Sequence, residues 1–239
     1  MTYVEGFVSA VPTANRKAYA EHAAEAAPLF KELGATRVVE AWGDEVPDGE
    51  VTDFKRAVQA RDDETVAFGW FEFPSKEARD AFNEKMRSDS RMEALGESMP
   101  FDGQRMIFGG FSSIVDENAG GRGTYIDGYV VPVPSENKEA YREIADNAAS
   151  VFKEYGATRV VEAWGDDVPD GEVTDYRRAV KANDDETVVY SFIEWPTKEA
   201  RDVGMKQVME DPRMQMDRDT MPFDGQRMIY GGFTSILDE

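Results

Sequence analysis

The chain has 239 residues, 48 acidic and 27 basic, with a net charge of −21, one histidine (His22) and no cysteine. Without cysteine there are no disulfides, thiolate metal sites, iron–sulfur clusters or thiol nucleophiles, and one histidine removes most imidazole-rich metal sites. A charge of this sign and size repels phosphate backbones and anionic headgroups, so no nucleic-acid or membrane partner is expected.

Tyr3 to Val11 alternates and is rich in aromatic and β-branched residues, which predicts a strand. Pro12-Thr13 ends it, with Thr13 placed to cap the next helix. From Asn15 to Leu33, the residues Tyr19, His22, Ala23, Ala26, Phe30 and Leu33 recur at helical spacing, and Gly34 closes the helix. Thr36 to Trp42 reads as a second strand. Pro47-Asp48-Gly49 is a turn, because proline fixes φ and glycine accepts a positive one. Asp53 to Ala60 and Thr65 to Phe73 read as strands joined through Arg61-Asp62-Asp63-Glu64. Ser75 caps a helix from Lys76 to about Arg87, and a less regular stretch runs to Ser98. Gln104 to Val115 is the last strand, in which Gly109-Gly110 marks a bulge or a close backbone approach.

This order is β-α-β-β-α-β with one extra strand, a ferredoxin-like plan. The plan is written twice. Shifted by 122 residues, Tyr3–Glu117 aligns without a gap on Tyr125–Glu239, and 69 of the 115 pairs are identical. The expected domains are residues 1–117 and 124–239, joined by a Gly-rich linker at 118–123. A solenoid unit is typically only ~20–50 residues long, so each copy is a whole small domain. In Thr65–Phe73, Val66, Phe68 and Trp70 point one way, and Ala67, Phe71 and Phe73 the other. Helices can cover one such apolar face and the second copy the other. The expected fold class is α+β: two ferredoxin-like domains forming an intramolecular pseudo-dimeric α+β barrel, monomeric as a chain. No apolar run approaches the ~20 residues of a membrane span. The N-terminus lacks the basic start and apolar stretch of a signal peptide. A soluble cytoplasmic protein is expected.

The stretches Tyr3–Val8, Pro28–Glu32, Val38–Trp42, Val46–Gly49 and Met99–Phe111 occur in an order that resembles the YbaA-like family of small bacterial proteins of unknown function. Members of that family are typically single-copy, so the chain resembles a fused dimer of them. The resemblance implies a dimeric α+β barrel related in fold to small monooxygenases, muconolactone isomerases and stress-responsive barrel proteins. It supplies no catalytic mechanism.

A residue that works in every domain should appear in both copies. His22 does not, since Ile144 stands at its counterpart, and on the apolar face of a helix it reads as a packed side chain. Carboxylates recur at Glu5/Asp127, Glu40/Glu162, Asp53/Asp175 and Glu72/Glu194, and guanidinium groups at Arg37/Arg159, Arg56/Arg178 and Arg105/Arg227. A buried carboxylate with a raised pKa can act as a general base. Glu40 and Glu162 are the candidate catalytic residues, with Trp42 and Trp164 as an apolar wall for a planar ligand. Asp102, Asp224, Arg105 and Arg227, in the repeated Met-Pro-Phe-Asp-Gly-Gln-Arg-Met stretch, are candidate polar anchors for that ligand. The competing reading of the strand charges is a structural Arg–Glu network tying the sheets together. The acidic loop Asp44–Asp53 fails the EF-hand pattern, with Val46 and Lys55 at ligand positions, so no metal is expected. There is no phosphate-binding loop, dinucleotide fingerprint or hydrolase elbow, and no cofactor is expected. Three functions remain open: a small-molecule-binding barrel, as a cofactor-independent monooxygenase- or isomerase-like enzyme; a non-enzymatic, stress-associated binding protein; and an interaction scaffold using its acidic face.

Overall fold

A computed structural model of the chain describes residues 2–215 and 221–239. The N-terminal half supplies strands β1 (Tyr3–Pro12), β2 (Arg37–Glu45), β3 (Glu64–Phe73) and β4 (Ile107–Asn118). The C-terminal half supplies β5 (Tyr125–Pro134), β6 (Arg159–Asp167), β7 (Glu186–Trp195) and β8 (Ile229–Asp238). They close one antiparallel barrel in the order β1-β3-β2-β8-β5-β7-β6-β4. Each half is a four-stranded sheet, and the halves join at two seams, β2 with β8 and β4 with β6. The expected pseudo-dimeric α+β barrel is the observed fold. The open sheet edges that each half would present alone are paired with the other half.

Outside the barrel lie α1 (Arg16–Leu33), α3 (Lys76–Ser88) and α4 (Arg91–Glu97) in the first half, and α5 (Lys138–Glu154) and α7 (Lys198–Glu210) in the second; two short helices, α2 (Phe54–Ala57) and α6 (Tyr176–Ala179), follow β2 and β6. Ser75 caps α3 as expected, accepting from the backbone N–H of Ala78 at 3.3 Å. Gly34 ends α1 at φ +134°. Thr13 does not cap α1, which starts three residues later, after a 3-10 turn at Thr13–Asn15. The stretch expected to be irregular contains α4.

Strand alternation sends Val66, Phe68 and Trp70 into the barrel and Phe71 and Phe73 out to the helices. Inside, each β3 ring meets its own counterpart on β7: Trp70 stacks on Phe192 at 3.9 Å and Phe68 on Tyr190 at 4.7 Å. Room for these rings comes from glycine on the first strand of each half. A Cβ on Gly6 would stand 2.8 Å from the Tyr190 ring, and one on Gly128 2.8 Å from the Phe68 ring.

The expected strand over Asp53 to Ala60 is absent, so among the described residues the halves carry no extra strand. Asp53 instead caps α2, accepting from the Arg56 N–H at 2.8 Å, and Phe54, Ala57 and Val58 turn into the barrel interior. α6 does the same from the other half. The two plugs are tied reciprocally, with the Thr52 hydroxyl donating to the Ala179 carbonyl and the Thr174 hydroxyl to the Ala57 carbonyl, both at 2.7 Å. β4 starts at Ile107, later than expected, because Gly103–Arg105 forms a 3-10 turn. The glycine pair in β4 does mark a register shift, between Gly110 and Phe111.

The opposite end of the barrel is closed by ions. Arg37 donates to both oxygens of Glu194 (2.8 and 2.7 Å) and of Asp238 (2.8 and 2.9 Å). Arg159 does the same to Glu72 (2.7 and 3.2 Å) and Asp116 (2.8 and 3.0 Å). Each guanidinium therefore grips two carboxylates of the other half, in bidentate geometry that suits burial.

Two predictions follow from this interior. Gly6→Ala and Gly128→Ala each force a methyl against a ring that has nowhere to move, and each lowers unfolding stability by about 1–3 kcal/mol in urea titrations. Gly96→Ala, where a Cβ meets nothing within 4 Å, serves as the neutral or stabilising control. At the ionic end, Arg37→Met leaves Glu194 buried without its main partner and costs about 3–5 kcal/mol. Adding Glu194→Leu to that variant recovers part of the loss. If the double variant is no more stable than the single one, the cost does not come from a stranded charge.

Candidate functional site

Because Val39 and Ala41 face the barrel interior, the alternation of β2 turns Glu40 and Trp42 outward, toward α1. There Glu40 is 8% exposed. The Tyr19 hydroxyl donates to its Oε2 at 2.5 Å. Tyr19 is held by Trp42, with ring centroids 6.0 Å apart, and by the edge of Phe101 at 5.6 Å. The same arrangement recurs in the second half, where the Tyr141 hydroxyl donates to Glu162 at 2.7 Å beside Trp164 and Phe223. No Arg or Lys pairs with Glu40 or Glu162 among the described residues. Burial pushes Glu40 up to about 8 and Glu162 up to about 7, in each case against the tyrosine hydrogen bond, which favours the charged form.

A cavity of about 480 Å³ opens in front of Glu40, between the outer face of the sheet and α1, α3 and α4. Its walls are mainly aromatic and thioether groups: Phe7, Phe30, Phe71 and Phe101 with Met86, Met92, Met99 and Met106. Ser9, His22, Asn83 and Arg87 are the further polar lining, with Glu5. Glu5 is already paired, accepting from Arg79 Nε at 2.6 Å. His22 lies within 3.4 Å of the Ser98 hydroxyl, and burial holds its pKa below the usual value. Ser9 is 1% exposed and its hydroxyl has no hydrogen-bond partner.

Of the residues singled out from sequence, Glu40 lines the cavity and Trp42 stands behind Tyr19 as its support. The structure does not bring Asp102 and Arg105 to them. Arg105 donates to Glu64 at 2.7 and 2.6 Å, to Asp102 at 2.9 Å and to the Gln59 carbonyl at 2.9 Å. Arg227 is matched by Glu186, Asp224 and the Lys181 carbonyl. These clusters pin the repeated loop so that Met99, Phe101 and Met106 face the cavity; they are positioning groups. Glu72, Glu194, Arg37 and Arg159 belong to the ionic end of the barrel. Sequence reasoning overlooked Tyr19/Tyr141 as partners of Glu40/Glu162, although the tyrosine precedes the glutamate by 21 residues in both copies. It also overlooked Arg79/Arg201 and Ser9. A second hollow of about 730 Å³ is an open groove between Pro47–Asp53 and Met221–Tyr230, where Asp53 already caps α2. Among the described residues no cluster of three or more His, Asp or Glu could hold a metal ion, and no helix is long and apolar enough to cross a membrane.

The fold recurs in solved structures of low sequence identity. A protein of Fusobacterium nucleatum assigned as a monooxygenase is 12% identical and superposes with a TM-score of 0.61, over all of this chain and 94% of its own. One of Lactobacillus acidophilus, also assigned as a monooxygenase, is 10% identical with a TM-score of 0.58, over all of this chain and 96% of its own. An anthrone oxidase-like protein is 11% identical with a TM-score of 0.53, over all of this chain and 92% of its own. At these identities the likeness is one of fold. In sequence, the uncharacterized protein YbaA of Escherichia coli K12 is 64% identical over 117 residues, which is 49% of this chain and all of YbaA; YbaA of Shigella flexneri matches equally. The family of proteins of unknown function DUF1428 matches twice, at residues 2–103 and 124–225, so the chain belongs to that family as a tandem fusion of two YbaA-like copies.

Proposed function

We propose that the chain binds a flat, mainly apolar organic compound in the cavity of its N-terminal half, and that Glu40 exchanges a proton with it. The observation that carries this reading is a buried carboxylate, paired with a tyrosine hydroxyl rather than a cation, facing an aromatic and methionine-lined cavity. A carboxyl titrating near neutrality is suited to take a proton and return it. Tyr19 occupies Oε2 and leaves Oε1 for the ligand. As a base, Glu40 removes a proton from an acidified C–H or O–H, and the electron pair stays on the ligand as an enolate or phenolate. Return of the proton to another carbon is an isomerisation. Reaction of the enolate with dioxygen is a cofactor-independent monooxygenation when the attacked carbon is a CH2: it becomes C=O with one oxygen atom, its two hydrogens leave with the other as water, and the ligand itself supplies the four electrons. The three fold neighbours, assigned as monooxygenases or likened to an anthrone oxidase, lend the second outcome its support by analogy. The chain would act in the cytoplasm as a self-contained pseudo-dimer, without a nucleic-acid or membrane partner.

A second reading, a non-enzymatic binding protein, is favoured by the pairing of Glu5, Glu72 and Arg105 with other side chains. Native mass spectrometry of the purified chain, followed by denaturing extraction, distinguishes the two. The expected result is a co-purifying aromatic compound that the protein converts. Glu40→Gln, whose amide oxygen still accepts a hydrogen bond but cannot take up a proton, lowers conversion by ~10²-fold or more. Binding without conversion in either form supports the second reading.

The raised pKa of Glu40 also predicts a pH dependence of stability. Between the unfolded value near 4.5 and the folded value of about 8, the folded state holds a proton that the unfolded state has lost. Stability therefore falls as pH rises through this window, by up to about 1.4 kcal/mol per pH unit for one such group. Glu162 adds the same sign up to about 7. His22, with its pKa lowered, acts in the opposite sense and only below pH 6.5. The Glu40→Gln, Glu162→Gln double variant is expected to flatten the fall between pH 5 and 8 in urea titrations. An unchanged slope would show that neither carboxyl is protonated in the folded protein.

A further inference from the structure

The two carboxylate sites look alike but have different neighbours. Ser191 on β7 is the register partner of Glu162 and works against the effect of burial on its pKa. The matching position beside Glu40 is Gly69, where a Cβ would lie 2.6 Å from the Phe7 ring and 2.7 Å from the Val39 carbonyl. Among the described residues Glu40 thus has Tyr19 alone. The first half instead carries its serine at Ser9 on β1, at the cavity wall, buried and without a partner, and Val131 stands at the counterpart. The other polar lining follows suit: His22, Asn83 and Arg87 are matched by Ile144, Met205 and Met209. An unpartnered buried hydroxyl destabilises the protein. That cost is recovered when a ligand group takes up the hydrogen bond, and the open carboxylate nearby accepts from the same kind of group.

We propose that the chain is a one-site pseudo-dimer: only the N-terminal cavity takes a ligand, and the ligand is an aromatic compound whose hydroxyl is recognised by Ser9 and Glu40, while the Glu162 site has Ser191 beside it and no counterpart of Ser9. This rests on the binding reading given above and adds to it the stoichiometry and the polar group. Hydroxyl recognition at a buried, otherwise unpaired site discriminates strongly, because an analogue without the hydroxyl leaves the site's groups unpaired.

The test uses the full chain with 1-naphthol and naphthalene as probes, by fluorescence titration and by native mass spectrometry for stoichiometry. One naphthol per chain is expected, with naphthol bound more tightly than naphthalene. Ser9→Val, which installs the residue of the second half, and the smaller Ser9→Ala should each weaken naphthol about tenfold and leave naphthalene within about twofold. Two naphthols per chain, or equal weakening of both probes, overturns this inference and leaves the cavity reading standing. If neither probe binds at millimolar concentration, the cavity reading fails and this inference fails with it.

Discussion

Two aromatic pairs stacked across the pseudo-twofold axis, Trp70 on Phe192 and Phe68 on Tyr190, determine where everything else in the molecule can go. They fill the middle of the barrel. Phe54 and Tyr176 plug one end, and the Arg37 and Arg159 clusters close the other. A barrel of eight strands is narrow enough for side chains such as these to fill, and here they do, at the crystal-like density of a protein core. A ligand site must therefore lie on the other face of the strands, under the helices. The period of two along β2 then decides which residues reach it. Val39 and Ala41 are committed to the core, so Glu40 and Trp42 are sent outward.

The same alternation explains why similar buried carboxylates have different roles. Glu72 lies on the inward face of β3, at the end where Arg159 of the other half arrives, and its desolvation is offset by a bidentate partner and by the Trp70 indole N–H at 3.0 Å. Glu40 lies on the outward face, where α1 offers a tyrosine. A phenol stabilises a carboxylate much less than a guanidinium does, so at Glu40 burial prevails and pushes the pKa up. Counting strand carboxylates could not separate these cases. The face each one occupies and the side chain opposite it could.

Much of the architecture was legible in the sequence, because it rests on long, strongly periodic segments and on an ungapped repeat. Thr65–Phe73 shows two apolar faces, and two apolar faces demand two covers. The misreading of Asp53–Ala60 has a specific cause. Phe54, Arg56 and Val58 alternate like a strand, yet Phe54, Ala57 and Val58 also share one face of a helical turn, and so short a run cannot be settled by periodicity. Arg105 was misplaced for a related reason: the Asp102-Gly103 turn continues through one 3-10 turn, so the arginine closes a charge cluster and never enters the strand. Glu40 was legible as a repeated carboxylate in an apolar strand. Its partner Tyr19 was hidden among residues that simply pack a helix, and Ser9 gives no signal until its burial is known.

Fusion of the copies explains how the two halves could diverge in some places and not in others. In a homodimer every substitution appears twice. In one chain a change can be confined to one half, provided that it does not face its own counterpart. The barrel interior fails that condition: Phe68 packs on Tyr190 and Trp70 on Phe192, so these positions have kept large flat rings. The outer layers meet it: α1 packs on β2 and reaches over to β8, and α5 packs on β6 and reaches over to β4, so each helix meets strands and not its own counterpart. There Phe73 and Phe82 of the first half, centroids 5.0 Å apart, are replaced by Trp195 and Gly204, and a Cβ on Gly204 would stand 2.5 Å from the Trp195 ring. The larger ring takes up the volume that the glycine gives up, as a packed core requires of paired changes. Freedom to exchange volume in one outer layer is also freedom to reshape one cavity, and this is where Ser9, His22, Asn83 and Arg87 part company with Val131, Ile144, Met205 and Met209.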